Sequence, residues 1–255
     1  MRLVYSPSRL RSAIKPFRLH WFSRLRSTSD HAARLRRAGK LYAPSLVLTS
    51  HQTHGRGRGS NTWWSGSGVL TATFALAVQE RLAPQELPLI AGLAVRQAAV
   101  ELCGRQDILL KWPNDVICDG LKLAGLLCER VSNVDLVGIG LNVNSRASKA
   151  PRELREKIVS LSEILGKPID MNDAVAALAA HLHSMTRRRM EQSFAVFVRE
   201  YARHDALIGR AVTVTSPGDG EEISGRCEGL DEQGRLIVRQ HGVRHRIVAG
   251  TITPR

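Results

Sequence analysis

No two cysteines in this chain are spaced as CxxC, and none of the four present, Cys103, Cys118, Cys128 and Cys227, has a histidine at metal-ligand spacing. That excludes a zinc ribbon and a secreted disulfide scaffold, and predicts reduced, mostly buried thiols of a cytoplasmic protein. Long apolar runs are also missing. A bilayer span needs roughly 20 apolar residues, and the longest candidate, Leu87 to Val100, is broken by Arg96 and Gln97. No membrane association is expected. Acidic residues are absent before Asp30, whereas Arg2, Arg9, Arg11, Lys15, Arg18, Arg24 and Arg26 all precede it. Such a start mimics a transit peptide but has no secretory apolar core, so residues 1–24 are read as a basic N-terminal arm.

What remains is a globular composition. The 255 residues are 43% apolar with scattered charge, enough for one large domain and a small one. The net charge of +14 has two readings. One is attraction to nucleotides, nucleic acid or an acidic protein; the other is a bias toward surface arginine that serves solubility.

Ser27-Thr28-Ser29-Asp30 predicts a helix start, capped by a hydroxyl, running to about Ala38 with Gly39 as terminator. Leu46 to Thr49 and Val69 to Leu76 read as strands. Pro88 opens a long apolar helix closed by Gly104. Ile108 to Trp112, Val116 to Cys118 and Lys122 to Cys128 form a meander turning at Asp119-Gly120. Val134 to Gly140 and Leu141 to Asn144 continue the sheet, and two or three helices follow between Arg152 and Leu207. Strands before helices, with many hairpins, give an α+β class with a mixed or antiparallel sheet. After a boundary near Ala206 the pattern shifts to short strands, Ala211 to Thr215, Gly220 to Glu228, Leu236 to Arg239 and Val243 to Ala249, which suggests a small β-barrel. Expected boundaries are 1–24, 25–205 and 206–255.

The densest local signal is Gln52-Thr53-His54-Gly55-Arg56-Gly57-Arg58-Gly59-Ser60-Asn61-Thr62-Trp63-Trp64. Glycine lets backbone approach a ligand, arginine forks onto carboxylate or phosphate, and tryptophan supplies an apolar wall. Read alone it is either a loop that closes over a small anion or a segment that tracks nucleic acid without sequence preference. Three later segments decide between them: Lys111-Trp112-Pro113-Asn114-Asp115, Lys122-Leu123-Ala124-Gly125-Leu126-Leu127-Cys128-Glu129, and Val137-Gly138-Ile139-Gly140-Leu141-Asn142-Val143-Asn144. In order and spacing the four segments resemble the biotin protein ligases over residues 27 to 255.

The resemblance implies a catalytic domain like that of class II aminoacyl-tRNA synthetases followed by an SH3-like barrel, of the monofunctional type without a DNA-binding winged helix. It implies ATP-dependent activation of biotin as biotinyl-5′-AMP, with Mg²⁺, and transfer to a lysine of a biotin carboxyl carrier domain. No specific DNA binding is expected, and family members occur as monomers or homodimers. Catalytic roles are implied for Arg56, Arg58, Lys111, Asp115 and Lys122. Biotin contacts fall to Ser27, Thr28, Gln52, Gly55, Arg56, Gly57, Arg58 and Lys122. ATP contacts fall to Arg58, Trp63, Lys111, Asn114, Asn142 and Arg255; no protein metal ligand is identified. Where the family continues its loop with Arg-Gly-Arg, this chain has Gly59-Ser60-Asn61. A lipoate or octanoate ligase of the same catalytic fold, a basic nucleic-acid-binding protein and an inactive carboxylase-binding homologue are the alternatives.

Overall fold

The computed structural model describes residues 5–217 and 220–254. In chain order it contains α1 (Pro7–Ala13), β1 (Arg18–Phe22), α2 (Thr28–Arg37), β2 (Ser45–Thr49), β3 (Gly55–Arg56), β4 (Thr62–Trp63), β5 (Val69–Ala77) and α3 (Leu87–Cys103). The meander β6 (Leu109–Lys111), β7 (Asp115–Cys118), β8 (Leu121–Val131) and β9 (Val134–Asn142) follows. Then come α4 (Leu161–Leu165), α5 (Met171–Glu191) and α6 (Phe194–Ala202), and the tail strands β10 (Ala211–Thr215), β11 (Glu222–Leu230), β12 (Leu236–Gln240), β13 (Val243–Ile247) and β14 (Thr251–Pro254).

A seven-stranded sheet in the order β1-β2-β5-β9-β8-β7-β6 carries the fold. Only β1–β2 is parallel; the other pairs are antiparallel, so the sheet is mixed. Strict alternation along the central strands separates its faces. Leu70, Ala72 and Phe74 of β5, with Val137, Ile139 and Leu141 of β9, join the large core under α3 and α5. Ala75 and Leu136 face the other way, toward Ala32 and Ala33 of α2. The same face carries Thr71, Thr73, Gly138 and Gly140, where side chains are polar or missing. That interruption of an otherwise apolar face opens a hollow beside the start of α2.

The helix α3 is buried on nearly every side, as its apolar composition demands. It ends at Gly104, whose φ of 73° is the left-handed conformation that stops a helix. The short helix α2 begins at Ser27, whose hydroxyl accepts from Asp30 N at 3.3 Å. Arg34, Arg36 and Arg37 occupy its last turn, where the helix dipole favours positive charge.

From residue 5 onward the expected basic arm is part of the fold. Tyr5, Leu10, Ile14 and Phe17 are buried in the main core, and Phe17 meets the Phe74 ring edge-on at 5.1 Å. The strand β1 adds an edge to the sheet. A seven-residue helix and a five-residue strand carry too little periodicity to stand out from their arginines.

The tail forms a five-stranded antiparallel sheet in the order β13-β12-β11-β10-β14, in the place expected for the small barrel. Two of its connections to the large sheet run through β6 and the residue after it. Residues 204–206 pair with the exposed edge of β6, through Leu110 N to His204 O at 2.8 Å and Ala206 N to Leu110 O at 2.9 Å. The buried Trp112 donates Nε1–H to Gly234 O at 3.1 Å, across the junction.

Candidate active site

A cavity of about 1010 Å³ lies between the α2 face of the large sheet, the segment 52–63 and the tail sheet. Its floor is set by glycines. Gly125 of β8 pairs directly with Gly140 of β9, and the indole of Trp63 lies across both. A Cβ on Gly140 would stand 2.2 Å from Trp63 Cε2, where only glycine leaves room for the ring, and one on Gly125 would be tight at 3.0 Å from Trp63 Cζ3. The Trp63 Nε1–H is buried there without an acceptor.

One wall is a chain of hydroxyls and an amide. Thr28 N donates to Gln52 Oε1 at 2.8 Å, and Gln52 Nε2 donates to Ser65 Oγ at 3.1 Å. Thr73 Oγ1 donates to Thr28 Oγ1 at 2.9 Å, and Ser29 Oγ lies 3.2 Å from Thr73 Oγ1. Ser27, Thr28, Ser29, Gln52, Thr71 and Thr73 are all buried. Polar groups removed from water must be hydrogen-bonded, and hydroxyls can rotate to offer either a proton or a lone pair. Such a wall suits a small ligand with both donors and acceptors.

The opposite end is cationic. Among the described lining residues Arg56, Arg58, Lys111 and Lys122 are positive, and Asp115 is the one carboxylate. Lys122 Nζ pairs with Asp115 Oδ1 at 2.7 Å and lies 5.6 Å from the centre of the Trp63 ring. Burial lowers the Lys111 ammonium from its ordinary value, with Asp115 opposing that shift and Lys122 reinforcing it. Burial also lowers the Arg58 guanidinium, again against the pull of Asp115. Cations partly withdrawn from water act strongly on a developing negative charge.

The arginine–glycine segment, expected as a flexible loop, is a small hairpin. β3 and β4 pair Gly55 with Trp63 and Arg56 with Thr62. The turn is closed by Gly57 N to Asn61 O at 2.8 Å and Asn61 N to Arg58 O at 3.1 Å, with Gly59 at φ +60°. At its tip Arg58 extends Nη1 toward Asn114 Oδ1 at 3.5 Å and donates from Nη2 to Gly250 O at 3.2 Å. At its stem Arg56 borders the cavity but turns its guanidinium to Asp30 and Glu129. Trp64 packs over Gly66 on the outer side of the hairpin.

Most of the expected site residues therefore meet. Ser27, Thr28, Gln52, Arg56, Gly57, Arg58, Trp63, Lys111, Asn114, Asp115 and Lys122 all border the cavity. Gly55 sits behind it in the hairpin stem, so close to Trp63 O that a Cβ would be 2.3 Å away. Asn142, expected near the nucleotide, is buried behind the lining and donates Nδ2–H to the Lys122 carbonyl at 3.2 Å. It steadies Lys122 from below, together with the bond from Lys122 N to Lys157 O at 2.8 Å. Arg255 lies outside the described residues.

The sequence reading missed Ser29, Thr71 and Thr73, although threonines two apart in an apolar strand signal a polar patch on one face. It also missed the wall supplied by Thr215, Ser216 and residues 249–252 of the tail sheet. No local pattern marks them.

The sequence profile of the Biotin/lipoate A/B protein ligase family matches residues 21–144, and that of the Biotin protein ligase C terminal domain matches residues 207–253. Between them these segments hold nearly every residue bordering the cavity. The biotin–[acetyl-CoA-carboxylase] ligase of Mycobacterium tuberculosis is 31% identical over 217 residues, which are 81% of this chain and 77% of that protein. The bifunctional ligase/repressor BirA of Bacillus subtilis is 31% identical over 205 residues, 76% of this chain; the matched region spans 61% of that relative's length. Among solved structures, the biotin protein ligase from Aquifex aeolicus in complex with biotin and ATP superposes with a TM-score of 0.83 at 28% identity, over 93% of this chain and 98% of that one. The cavity's residues thus lie within the segments that the comparisons match, and the chain belongs to the biotin protein ligase family.

Proposed function

We propose that this chain is an ATP-dependent ligase that activates biotin as biotinyl-5′-AMP and transfers the biotinyl group to a lysine of a biotin carboxyl carrier domain. The observation that carries this reading is the juxtaposition of a cationic end, Arg58, Lys111 and Lys122, with a buried hydroxyl wall under one tryptophan-covered floor. A relative solved with biotin and ATP supports it.

The chemistry follows from what each side needs. A carboxylate does not acylate an amine at neutral pH until its oxygen becomes a leaving group. In adenylation the biotin carboxylate oxygen attacks the α-phosphorus of ATP, and the bond to pyrophosphate breaks. Lys122 is placed to hold the carboxylate and the α-phosphate once it leaves Asp115. Lys111 and Arg58 neutralise charge on the phosphates. The ureido ring of biotin, with N–H donors and a carbonyl acceptor, rests against Thr28 and Gln52. In the second step the carrier lysine, as the free amine, attacks the acyl carbon, AMP departs with the bonding pair, and the surplus proton on nitrogen passes to Asp115, the carboxylate bordering the cavity. Throughout, Trp63 and the hairpin exclude water that would hydrolyse the mixed anhydride.

Mg²⁺ is the expected companion of the polyphosphate. No group of three or more histidine, cysteine, aspartate or glutamate side chains able to hold a metal converges among the described residues, and Asp115 is the carboxylate bordering the cavity. That donor set fits an ion delivered on phosphate oxygens, with Asp115 available to touch it. When bound, the ion would neutralise phosphate charge.

We assign the catalytic unit to residues up to about 205, including the segment from residue 5, and the tail unit to 206–255. Four free cysteines and the absence, among the described residues, of a helix long and apolar enough to cross a membrane support a cytoplasmic setting.

The deciding measurement is biotin-dependent exchange of labelled pyrophosphate into ATP, which needs no acceptor protein. Exchange with biotin but not lipoate, lost in Arg58→Ala, is the expected result. A folded wild-type chain that catalyses no exchange overturns the proposal.

A further inference from the structure

The two arginines of the hairpin do different work. Arg58 reaches inward and across to Gly250. Arg56 is occupied on the outer side: its Nη1 lies 2.8 Å from Asp30 Oδ1 and 3.1 Å from Glu129 Oε2, and its Nη2 lies 2.8 Å from Glu129 Oε1. The contact with Glu129 is bidentate, the strongest form of arginine–carboxylate pairing.

The two carboxylates come from different elements that border the cavity, though neither lines it. Asp30 stands in the first turn of α2, just after the hydroxyl wall begins. Glu129 lies on β8, on the same face as Gly125 and Leu127, which border the cavity. The Arg56 guanidinium therefore ties hairpin, helix and floor strand at one point. Its cross-strand partner is Thr62, the residue before Trp63. A fixed Arg56 fixes the stem, and the stem lays the Trp63 indole on Gly125 and Gly140.

We propose that Asp30 and Glu129 are positioning residues that latch the hairpin through Arg56 and so set how long an acyl-adenylate is held beneath Trp63. This rests on the ligase reading given above. All three side chains keep contact with water, with exposures of 39% for Arg56, 56% for Asp30 and 31% for Glu129. Ion pairs at such sites are weak enough to open and close repeatedly, and salt screens them. The latch biases the hairpin shut without locking it, which an enzyme must do if a carrier lysine is to enter and product to leave.

The test forms the adenylate from biotin and ATP on the wild type, Asp30→Asn, Glu129→Gln and the double variant, and follows its release after a chase with unlabelled biotin. Hydrogen exchange of amides 55–63 is recorded on the same proteins without ligand. Release should quicken about three-fold in each single variant and about ten-fold in the double, with faster exchange at 55–63 and unchanged protection in α3. The charge swap Arg56→Glu with Glu129→Arg should recover the protection of 55–63 relative to Arg56→Glu alone. If Asp30→Asn loosens the start of α2, Glu129→Gln, which caps no helix, carries the test by itself. Adenylate that forms normally and leaves at the wild-type rate from the double variant, with 55–63 equally protected, overturns the latch. Absence of adenylate on the wild type, with exchange at 55–63 still quickened by the variants, instead sinks the ligase reading and leaves the latch standing.

Discussion

Arg58, in the hairpin β3–β4, donates from Nη2 to the carbonyl oxygen of Gly250, in the tail segment, at 3.2 Å. The residue expected to serve the phosphates thus also reports that the second sheet is docked. Lysine at this position keeps the charge but cannot fork toward both Asn114 and Gly250. Arg58→Lys should lower the rate of biotin-dependent pyrophosphate exchange by roughly ten- to a hundred-fold, corresponding to ~1.5–3 kcal/mol for hydrogen bonds of a charged group. A rate within two-fold of wild type would show that charge alone suffices.

The floor makes a steric prediction. Gly140→Ala places a methyl 2.2 Å from Trp63 Cε2, so the indole must leave the floor. Gly125→Ala meets Lys122 Cε and Trp63 Cζ3 at 3.0 Å, the former on a flexible side chain that can give way. Biotin affinity by titration calorimetry should fall about ten-fold or more in Gly140→Ala, an overpacking cost of ~1–3 kcal/mol, and clearly less in Gly125→Ala. The reverse order would contradict this floor geometry.

At the junction, Trp112→Phe removes the donor to Gly234 O and leaves a buried carbonyl unpaired. Urea unfolding should show a loss of about 1–3 kcal/mol. Pyrophosphate exchange should fall as well, because Lys111 and Asn114 flank the same residue. Intact stability with impaired exchange would assign Trp112 a direct ligand role.

Asp205 sits at the same junction, its Oδ1 accepting from Leu207 N at 2.9 Å. Burial lifts its carboxyl from 3.8 to about 6, against the opposing backbone hydrogen bonds. The folded chain therefore binds more protons than the unfolded chain between those values, and this group costs stability progressively as pH rises from 4 to 6. Asp205→Asn keeps the acceptor to Leu207 and removes the charge. It should stabilise the protein by ~1–3 kcal/mol at pH 7.5, with the gain vanishing near pH 4. Denaturant unfolding at both pH values checks this; a pH-independent difference would remove ionisation from the account.

The helix α2, the central strands and the meander β6–β9 were legible because their signals are local: a hydroxyl cap, alternation, an Asp-Gly turn. The cationic residues were legible through the motifs that hold them. The latch was not, since Arg56 and Glu129 lie 73 residues apart and meet only when β8 is paired in the sheet. Asn142 is the converse case. Its motif suggested a ligand contact, but its side chain turns to the Lys122 carbonyl, a choice made by tertiary packing. The arm was misread because its helix and strand are short, and its buried side chains, Tyr5, Leu10, Ile14 and Phe17, find partners far along the chain, Phe74 among them.

The cavity draws its boundary from Ser27 at one extreme and Ile252 at the other. A ribosome makes the first long before the last, so a nascent chain owns the floor, the cations and the hydroxyl wall while one side still stands open to water. Any anhydride formed at that stage would be exposed to hydrolysis. The enclosure closes only once residues 249–252 have been made and folded into place, which makes productive chemistry wait on the tail sheet.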